Sequence, residues 1–413
     1  MVHVAVLGYG VVGSGVVDIL NENSVCINDR ASDEIKVKKI LDIRDFSGSP
    51  YAELFTNKPD EIFNDPDINI VVETIGGTSF AYEYTKRALM SGKHVVTSNK
   101  ELVAAHGPEL LKLARENNVR YLFEASVGGG IPIIRPLNHC LSANRIDGIT
   151  GILNGTTNYI LTKMKRDGAD FNEALEKAKM NGYAEADPSA DIDGHDACRK
   201  LAILSSIAFG KFVDYRNIYT EGIANITITD MKYADALDSA IKLLAVCKRT
   251  PGGFFCRVSP AIIKKGHPLA MVEDVFNAIM VEGNAVGDAM FYGRGAGKMP
   301  TASAVVADII DIVNHVNGGV KGIWDRNDSL RIVSVEESFT RMFVRLEVQD
   351  KCMAQKATAD IFGDCEFVKL PDMENEIAFV TPEMAEKDIN LKLKELLGSV
   401  GIKSVKNSIR VHW

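Results

Sequence analysis

Short apolar runs alternate with stretches of helical spacing over the first 125 residues of the chain. The apolar runs are rich in β-branched residues and occupy residues 4–7, 37–41, 70–73, 94–97 and 119–123. Between them, residues 12–20 and 81–90 carry apolar side chains at helical spacing. Strands that alternate with helices predict a doubly wound, parallel α/β sheet over residues 1–127. Because the runs are continuously apolar, we expect helices to cover both faces of that sheet.

The pattern becomes mixed after a glycine-rich break at residues 128–132 (GGGIP). Such a break is typical of a hinge or of a loop that another segment approaches closely. Beyond it, residues 193–208 have the spacing of a capped amphipathic helix, whereas residues 258–263 and 276–281 have the composition of strands. This mixture predicts a second, α+β domain over residues 128–327. We expect residues 298–318 of this segment to pack back onto the first domain.

Residues 328–413 show a third pattern. Strand-like runs occupy residues 341–348, 366–370, 376–380 and 404–411, and helical spacing occupies residues 354–362 and 384–397. The resulting order, βαββαβ, predicts a small ferredoxin-like module at the end of the chain.

Composition and charge exclude several classes of protein. Of the 413 residues, 46% are hydrophobic and 25% are charged, values typical of globular proteins and unlike those of disordered chains or coiled coils. A net charge of -8 offers no general attraction to a phosphate backbone. We therefore expect no nucleic-acid partner.

Cysteine usage and hydropathy bear on the compartment. Seven cysteines are scattered without a Cys-x-x-Cys pair, which favours free thiols over disulfides or structural zinc. The sequence contains no run of 18 apolar residues, and its first residues lead directly into a glycine loop. We therefore expect no membrane partner, no secretion and a cytoplasmic location.

A glycine loop follows the first predicted strand and opens a predicted helix. Its residues are Gly8, Gly10, Val11, Val12 and Gly13, with Tyr9 between the first two. In that context the glycines allow a tight turn and let a pyrophosphate approach the helix N-terminus, as in a Rossmann-type dinucleotide-binding fold. The alternative is a tight turn that binds no ligand.

Two charged residues, Asp42 and Arg44, follow the second predicted strand. A carboxylate at this place accepts hydrogen bonds from the adenosine ribose and repels a 2′-phosphate, whereas a guanidinium pairs with that phosphate. The two residues point to NAD and to NADP respectively, so the sequence leaves the choice open. Two solvated loop charges are the plain alternative.

Polar residues follow the third and fourth predicted strands, at the carboxyl edge where open α/β sheets bind ligands. We expect Ile75, Gly76, Ser98 and Lys100 to contact the cofactor there. Lys100 is also suited to hold a substrate carboxylate or to transfer a proton. A solvent-facing lysine is the alternative for that position.

Acidic residues are concentrated between positions 182 and 200. Glu185, Asp191 and Asp196 precede Lys200, and the spacing of four between Asp196 and Lys200 places both on one helix face. Such a group could bind an ammonium group while the lysine protonates a developing alkoxide, or it could bind a divalent cation. A surface ion pair is the alternative, and Asp193 could serve as a helix cap.

Two further turns precede predicted helices. Residues 154–158 (NGTTN) supply a cap together with hydroxyl and amide groups that could contact a substrate. Gly295 lies in a second glycine loop, ahead of a helical stretch at residues 302–313, and this loop could face a phosphate or ribose. Pure capping and a simple turn are the respective alternatives.

Several of these motifs together resemble the homoserine dehydrogenase family. The resemblance rests on residues 8–13, 92–100, 124–132, 154–161 and, most specifically, 182–200, where residue types and spacings both agree. It implies NAD(P)-dependent interconversion of L-homoserine and L-aspartate 4-semialdehyde in threonine, methionine and isoleucine biosynthesis. It also implies that residues 128–327 serve catalysis and dimerisation.

The resemblance also implies roles for individual residues. Lys200 matches the proton donor and Lys100 its partner, and Glu185, Asp196 and Asp191 match the residues that bind the amino-acid part of the substrate. Gly182 and Gly295 match positions near the cofactor. A sodium site is implied at a group of four residues, which are Glu124 and the carbonyl groups of Val127, Gly129 and Ile131.

The C-terminal module resembles the amino-acid-sensing ACT domain of bacterial family members. Residues 350–353 (DKCM) stand where the family has an Asp-x-Pro-Gly loop, so the resemblance does not extend to the effector loop and argues against threonine regulation. We expect a homodimer, with a homotetramer as the further possibility. Another NAD(P)-dependent amino-acid or semialdehyde dehydrogenase, and a non-catalytic sensor of cofactor and amino acid, are the alternative functions.

Overall fold

The computed structural model describes residues 1–315, 324, 331–371 and 373–412. The chain divides into two compact units. The first unit consists of Met1–Ile146, Arg199–Arg216 and Glu282–Leu330, and the second unit consists of Asp147–Cys198, Asn217–Val281 and Arg331–Trp413. The predicted domain boundary between residues 327 and 328, and residues 316–318 of the segment expected to pack back, lie outside the described residues.

Strands occur along the whole described chain. In chain order they are β1 (Val2–Leu7), β2 (Ile35–Leu41), β3 (Phe55–Thr56), β4 (Ile68–Glu73), β5 (His94–Thr97), β6 (Tyr121–Leu122), β7 (Ile146–Ile152), β8 (Tyr219–Thr220), β9 (Ser239–Thr250), β10 (Gly253–Lys264), β11 (Phe276–Gly283), β12 (Gly287–Arg294), β13 (Phe339–Val348), β14 (Glu366–Val368), β15 (Glu376–Val380), β16 (Met384–Ala385) and β17 (Ile402–Val411).

Helices separate most of these strands. In chain order they are α1 (Val11–Glu22), α2 (Ser24–Arg30), α3 (Asp60–Phe63), α4 (Ser79–Met90), α5 (Lys100–Glu116), α6 (Gly155–Asp167), α7 (Phe171–Met180), α8 (Ser189–Ile192), α9 (His195–Phe209), α10 (Ile228–Ala236), α11 (Lys298–Asn314), α12 (Lys351–Phe362) and α13 (Glu386–Leu397). None of the helices within the described residues is both long and apolar enough to cross a membrane.

The first unit contains the predicted parallel sheet, with strand order β3-β2-β1-β4-β5-β6. Neighbouring strands run parallel throughout, as β1 does with both β2 and β4. The run at residues 119–123 forms a shorter strand than its apolar residues predict. The N–H of Val119 donates to the carbonyl of Ala114 at the end of α5, so Val119 closes the helix instead of joining the sheet.

Helix α11 completes the core of the first unit. It packs along α1, and a Cβ atom added at Gly15 would lie 3.0 Å from the Cβ of Ala302. Apolar side chains of α11, among them Val305 and Ile309, share one buried cluster with Val4 and Val72 of the sheet. A helix from late in the chain thus covers strands formed at its beginning.

The second unit is built on a mixed sheet with strand order β11-β7-β9-β10-β17-β13-β15-β14. Strands β9 and β10 form a long antiparallel hairpin, and the apolar run of β9 was not predicted as a strand. Strand β17 joins β10 in parallel, with Ala261 opposite Arg410 and Ile262 opposite Val411. None of the seven cysteines, all of which are among the described residues, forms a disulfide bond.

The end of the second unit has the predicted βαββαβ order and the ferredoxin-like strand order β17-β13-β15-β14. Helices α12 and α13 bury apolar residues such as Phe362 and Ile389 against this sheet. The predicted helix start at Met384 is wrong, because Met384 and Ala385 pair with Thr340 and Phe339 of β13. The fold class, a Rossmann-type parallel sheet followed by an α+β part and a ferredoxin-like module, is confirmed.

We predict that Gly13→Ala destabilises the first unit. The added Cβ would lie 1.9 Å from the carbonyl oxygen of Gly8, and relief of such an overlap requires backbone movement that costs about 1–3 kcal/mol or more. The matched control is Gly10→Ala, because a Cβ at Gly10 meets no atom within 4 Å. Urea denaturation of both variants measures the difference, and equal midpoints for the two would contradict the prediction.

Candidate active site

The glycine loop of the first unit forms a closed turn with an open helix end. Gly8 has φ of +91°, which favours glycine, and the Thr74 hydroxyl donates to the carbonyls of Leu7 and Gly8 at 3.0 and 2.9 Å. Gly10 occupies the N-cap position of α1 and makes no side-chain cap. The space above Gly10 and the free N–H groups of the first turn suit a pyrophosphate.

Asp42 and Arg44 form a bidentate ion pair beside this loop. Arg44 donates through Nε and Nη2 to the two carboxylate oxygens of Asp42 at 3.0 and 2.8 Å. The backbone N–H of Tyr9 also donates to Asp42 at 2.8 Å. The Arg44 guanidinium holds the pKa of the Asp42 carboxyl well below its usual range. Asp42 therefore stays charged, and it fixes the glycine loop as well as the arginine.

A buried carboxylate, Glu73, organises the sheet edge where Ile75, Gly76 and Ser98 were expected to contact a cofactor. It accepts hydrogen bonds from the Thr97 hydroxyl at 2.6 Å and from the N–H groups of Ile75 and Gly76 at 2.8 and 3.3 Å. Burial raises the pKa of Glu73. The sequence offered no signal for the bond from Thr97, which lies on the neighbouring strand 24 residues from Glu73.

Lys100 is the first residue of α5, three residues after the end of β5 and two residues after half-buried Ser98. The preceding residue, Asn99, caps the helix by accepting from the N–H of Leu102 at 3.0 Å. The Asn99 amide donates to the carbonyl of Gly77 at 2.6 Å. The cap thus links α5 to the loop after β4 and fixes the backbone of Lys100 at the carboxyl edge of the sheet.

The Glu124 side chain anchors the loop at residues 127–131. Its carboxylate accepts from the backbone N–H groups of Ile133, Ile134 and Arg135 at 2.6–2.8 Å. No hydrogen bond among the described residues ends on the carbonyl oxygens of Val127, Gly129 or Ile131. These residues are buried, so their carbonyls form an oxygen-rich set that suits a hard cation.

Gly295 lies against this loop. A Cβ added at Gly129 would lie 2.3 Å from the carbonyl oxygen of Gly295, and the N–H of Gly130 donates to the carbonyl of Arg294 at 3.1 Å. Position 129 therefore needs glycine because the two backbones touch there, which is the close approach that the sequence suggested for residues 128–132.

A cavity of about 240 Å³ adjoins Glu124, and it was not predicted. Asp308 on its wall accepts from the N–H of Glu124 at 2.8 Å and pairs with Arg135 at 2.5 Å. Burial raises the pKa of Asp308 to about 7 in spite of that arginine. Asp308 lies on α11, more than 170 residues from both partners, a separation that no sequence pattern reveals.

In the second unit, Asn154 brings two predicted substrate-binding residues together. Its amide nitrogen donates to Asp191 Oδ1 at 2.7 Å and to Asp196 Oδ2 at 2.9 Å. Its amide oxygen accepts from the N–H of Thr157 at 2.8 Å and so caps α6. The turn at residues 154–158 was expected to cap a helix, and this is confirmed, but its bond to the acidic residues was missed.

The segment with Gly182 and Glu185 follows α7. Gly182 has φ of +71° and its N–H donates to the carbonyl of Lys179. The carbonyl of Tyr183, the residue after Gly182, accepts from the Thr156 hydroxyl at 2.6 Å. This bond ties the segment to α6. Glu185 is exposed. Within the described residues, no group of three or more His, Cys, Asp or Glu side chains is arranged to hold a metal.

Asp196 and Lys200 lie on α9, one turn apart, and both are buried, with exposed fractions of 4% and 9%. The N–H of Cys198 donates to the carbonyl of Gly194, so Gly194 occupies the N-cap position. Asp193 instead ends α8, and the expectation that it caps α9 is wrong. Two buried residues of opposite charge on one helix face are unusual unless they serve each other or a ligand.

A parallel sheet with an open glycine loop, together with a buried lysine one turn after a buried carboxylate, defines an oxidoreductase that uses a nicotinamide dinucleotide. The family model described as the NAD binding domain of homoserine dehydrogenase matches residues 8–124. The model described as homoserine dehydrogenase matches residues 132–310. The chain belongs to the homoserine dehydrogenase family.

Individual relatives agree along the whole chain. The homoserine dehydrogenase of Synechocystis sp. is 40% identical over 437 residues, with 99% of each chain covered. The crystal structure of a homoserine dehydrogenase from Thiobacillus denitrificans has a TM-score of 0.92 at 37% identity and covers 100% of this chain and 98% of that chain. A hyperthermophilic archaeal homoserine dehydrogenase in complex with NADPH has a TM-score of 0.64 at 32% identity, covering 75% and 97%.

Proposed function

We propose that this protein interconverts L-homoserine and L-aspartate 4-semialdehyde with NAD(P). The observation that carries the proposal is the pair of carboxylates held on Asn154, one of them a single helical turn before buried Lys200. An amino-acid alcohol needs such a site, with anions for its ammonium group and a proton-transfer residue for its hydroxyl. Neither alternative function is favoured by the relatives.

The residues divide the chemistry between them. Asp196, Asp191 and Glu185 bind the ammonium group of the substrate and thereby orient the carbon that reacts. Lys200 donates a proton to the developing alkoxide when the aldehyde is reduced, and it accepts that proton in the opposite direction. Lys100 assists it. The nicotinamide, when bound, supplies or accepts the hydride.

The glycine loop and the sheet edge hold the cofactor. We assign its pyrophosphate to the N–H groups at Gly10, Val11 and Val12, which α1 leaves open. Ile75, Gly76 and Ser98 then face it from the sheet edge, with Gly182 and Gly295 as further contacts. The archaeal relative in complex with NADPH supports NADP as one of the two cofactors.

A sodium ion fits the loop after Glu124. The carbonyls of Val127, Gly129 and Ile131 accept no hydrogen bond among the described residues, and burial of such oxygens without a partner is unfavourable. A monovalent cation would satisfy them. The Glu124 carboxylate already accepts three N–H groups, so its contribution would be the charge it places beside the loop.

The remaining proposals concern assembly and regulation. We propose a cytoplasmic homodimer, or a pair of such dimers, with the ACT-like module supporting assembly. At the place of the effector loop, Asp350 caps α12 directly by accepting from the N–H of Met353 at 3.0 Å. A helix that begins there leaves no loop of the Asp-x-Pro-Gly kind for threonine.

Our first functional prediction concerns Lys200. The wild-type protein reduces NAD or NADP in the presence of L-homoserine, measured as absorbance at 340 nm, whereas Lys200→Ala lowers kcat at least about a hundredfold because proton transfer is lost. Binding of NAD(P) stays unchanged. The matched control is Lys112→Ala, because the Lys112 side chain is 71% exposed. Unchanged turnover of Lys200→Ala would remove Lys200 from the mechanism, and an inactive wild type would refute the function.

The second prediction concerns cofactor choice. Asp42→Ala removes the charge that repels a 2′-phosphate and frees Arg44 from its bidentate pair, so kcat/KM for NADP rises relative to NAD by roughly five- to tenfold. Arg44→Ala shifts the ratio in the opposite direction. Steady-state kinetics with each cofactor measure both variants, and a constant ratio in the Asp42 variant would show that this carboxylate does not read the ribose.

The third prediction concerns threonine. Because α12 begins where an effector loop would lie, millimolar L-threonine leaves the activity and the melting temperature unchanged. L-Valine serves as the control amino acid. Strong inhibition by threonine, absent with valine, would contradict the prediction and restore a sensing role to the module.

A further inference from the structure

We propose that Asn154 is a positioning residue that holds Asp191 and Asp196 together as one anionic site for the ammonium group of the substrate. The proposal rests on the proposed function, because it assigns the two carboxylates to the substrate. It goes beyond the cap of α6, which is the role that the sequence of this turn predicts.

The orientation of the Asn154 amide is fixed by its surroundings. The amide oxygen accepts from the backbone N–H of Thr157 at 2.8 Å and from the Thr157 hydroxyl at 3.0 Å. A flipped amide would direct its NH₂ group at a backbone N–H and its oxygen at two carboxylates, and both contacts would be repulsive. The nitrogen therefore points to Asp191 and Asp196.

Both hydrogens of that nitrogen are used. An amide NH₂ group has two donors, and here one donates to Asp191 Oδ1 at 2.7 Å and the other to Asp196 Oδ2 at 2.9 Å. Because both oxygens bond the same nitrogen, the distance between them is at most the sum of the two hydrogen-bond lengths. Two like charges at this distance repel each other unless a donor or cation lies between them.

The neutrality of the amide matters for binding. An arginine or lysine at this place would also hold two carboxylates, but its charge would compete with the ammonium group of the substrate. Asparagine donates two hydrogen bonds and adds no positive charge to the site. The neutral amide thus joins the two carboxylates without adding a charge of its own that would compete with the ammonium group.

The turn that carries Asn154 has little freedom to move. Asn154 is only 5% exposed, and a Cβ at the following residue, Gly155, would lie 2.8 Å from the carbonyl oxygen of Val275. Asn158 donates to the carbonyls of Val272, Asp274 and Phe276. Because the turn is anchored on both sides, the Asn154 amide also holds its two acceptors, Asp191 and Asp196, in fixed positions.

The capping role alone does not explain asparagine. Serine, threonine and aspartate all cap helices through a side-chain oxygen about as well as asparagine does. Asparagine is the one member of this group that accepts at the helix end and also donates two hydrogens elsewhere. This difference separates the two roles in an experiment.

The test uses Asn154→Ser, which keeps an oxygen that can cap the helix and loses the two amide donors. We expect a rise in KM for L-homoserine of roughly ten- to a hundredfold, as expected for hydrogen bonds to charged groups. KM for NAD(P) stays within about twofold, and the melting temperature stays close to that of the wild type. The matched control is Asp170→Ser, because Asp170 caps α7 by accepting from the N–H of Glu173.

Two kinetic outcomes would overturn the proposal. One is a KM for L-homoserine within twofold of the wild type in Asn154→Ser. The other is a rise of both Michaelis constants in step with a fall in melting temperature, which a purely structural residue would give.

A second readout does not depend on the identity of the substrate. Carboxyl resonances of Asp191 and Asp196, followed by ¹³C NMR as pH is lowered, report the two pKa values in the wild type and in Asn154→Ser. Loss of the donors disfavours the charged forms, so both pKa values rise in the variant. Unchanged pKa values in the variant would overturn the positioning role of Asn154, even if another amino acid proves to be the substrate. Raised pKa values together with an inactive wild type would refute the proposed function and leave the positioning role intact.

Discussion

The second unit depends on one short turn at the start of α6. Within residues 154–158, Asn154 holds two carboxylates, Thr156 holds the carbonyl of Tyr183, and Asn158 donates to three carbonyls between residues 272 and 276. Each contact joins the turn to a segment far away in the sequence. A helix N-terminus offers unpaired N–H groups that need acceptors, and here the Asn154 side chain, which accepts from one of them, also fixes Asp191 and Asp196. The helix end and the loops that carry the proposed substrate-binding residues are therefore a single hydrogen-bonded structure.

The first unit follows a related rule with backbone atoms in place of side chains. Glu73 and Asp42 are carboxylates that accept from N–H groups of the loops that would surround a dinucleotide, in addition to their bonds from the Thr97 hydroxyl and the Arg44 guanidinium. A charged acceptor holds a loop more firmly than a neutral one, and it does so without occupying the space above Gly10. Carboxylates at the strand ends thus hold these loops from the side of the sheet, and the side of the loops that would face a dinucleotide stays open.

Sequence alone predicted those parts that depend on backbone and local pattern. The glycine loop was found because Gly8 and Gly13 are required by the chain itself, and the βαββαβ order was found because each of its elements has a clear period. Asn154 was read only as a cap, because its bonds to Asp191 and Asp196 span 37 and 42 residues. Strand β9 was missed because its apolar run carries Lys242, which is buried against the carbonyl of Val272.

The junction of β10 and β17 bears on how the chain avoids aggregation. An uncovered strand edge is a template on which another chain can add a strand. The outer edge of β10 is covered by β8 at Val258 and by β17 at Ile262, and the N–H of His412 extends this contact to the carbonyl of Ile262. Strand β17 therefore protects the edge of a long, buried hairpin. Proteolytic removal of β17 would do more than shorten a module, because it would expose the edge of β10 to pairing with a strand of another chain.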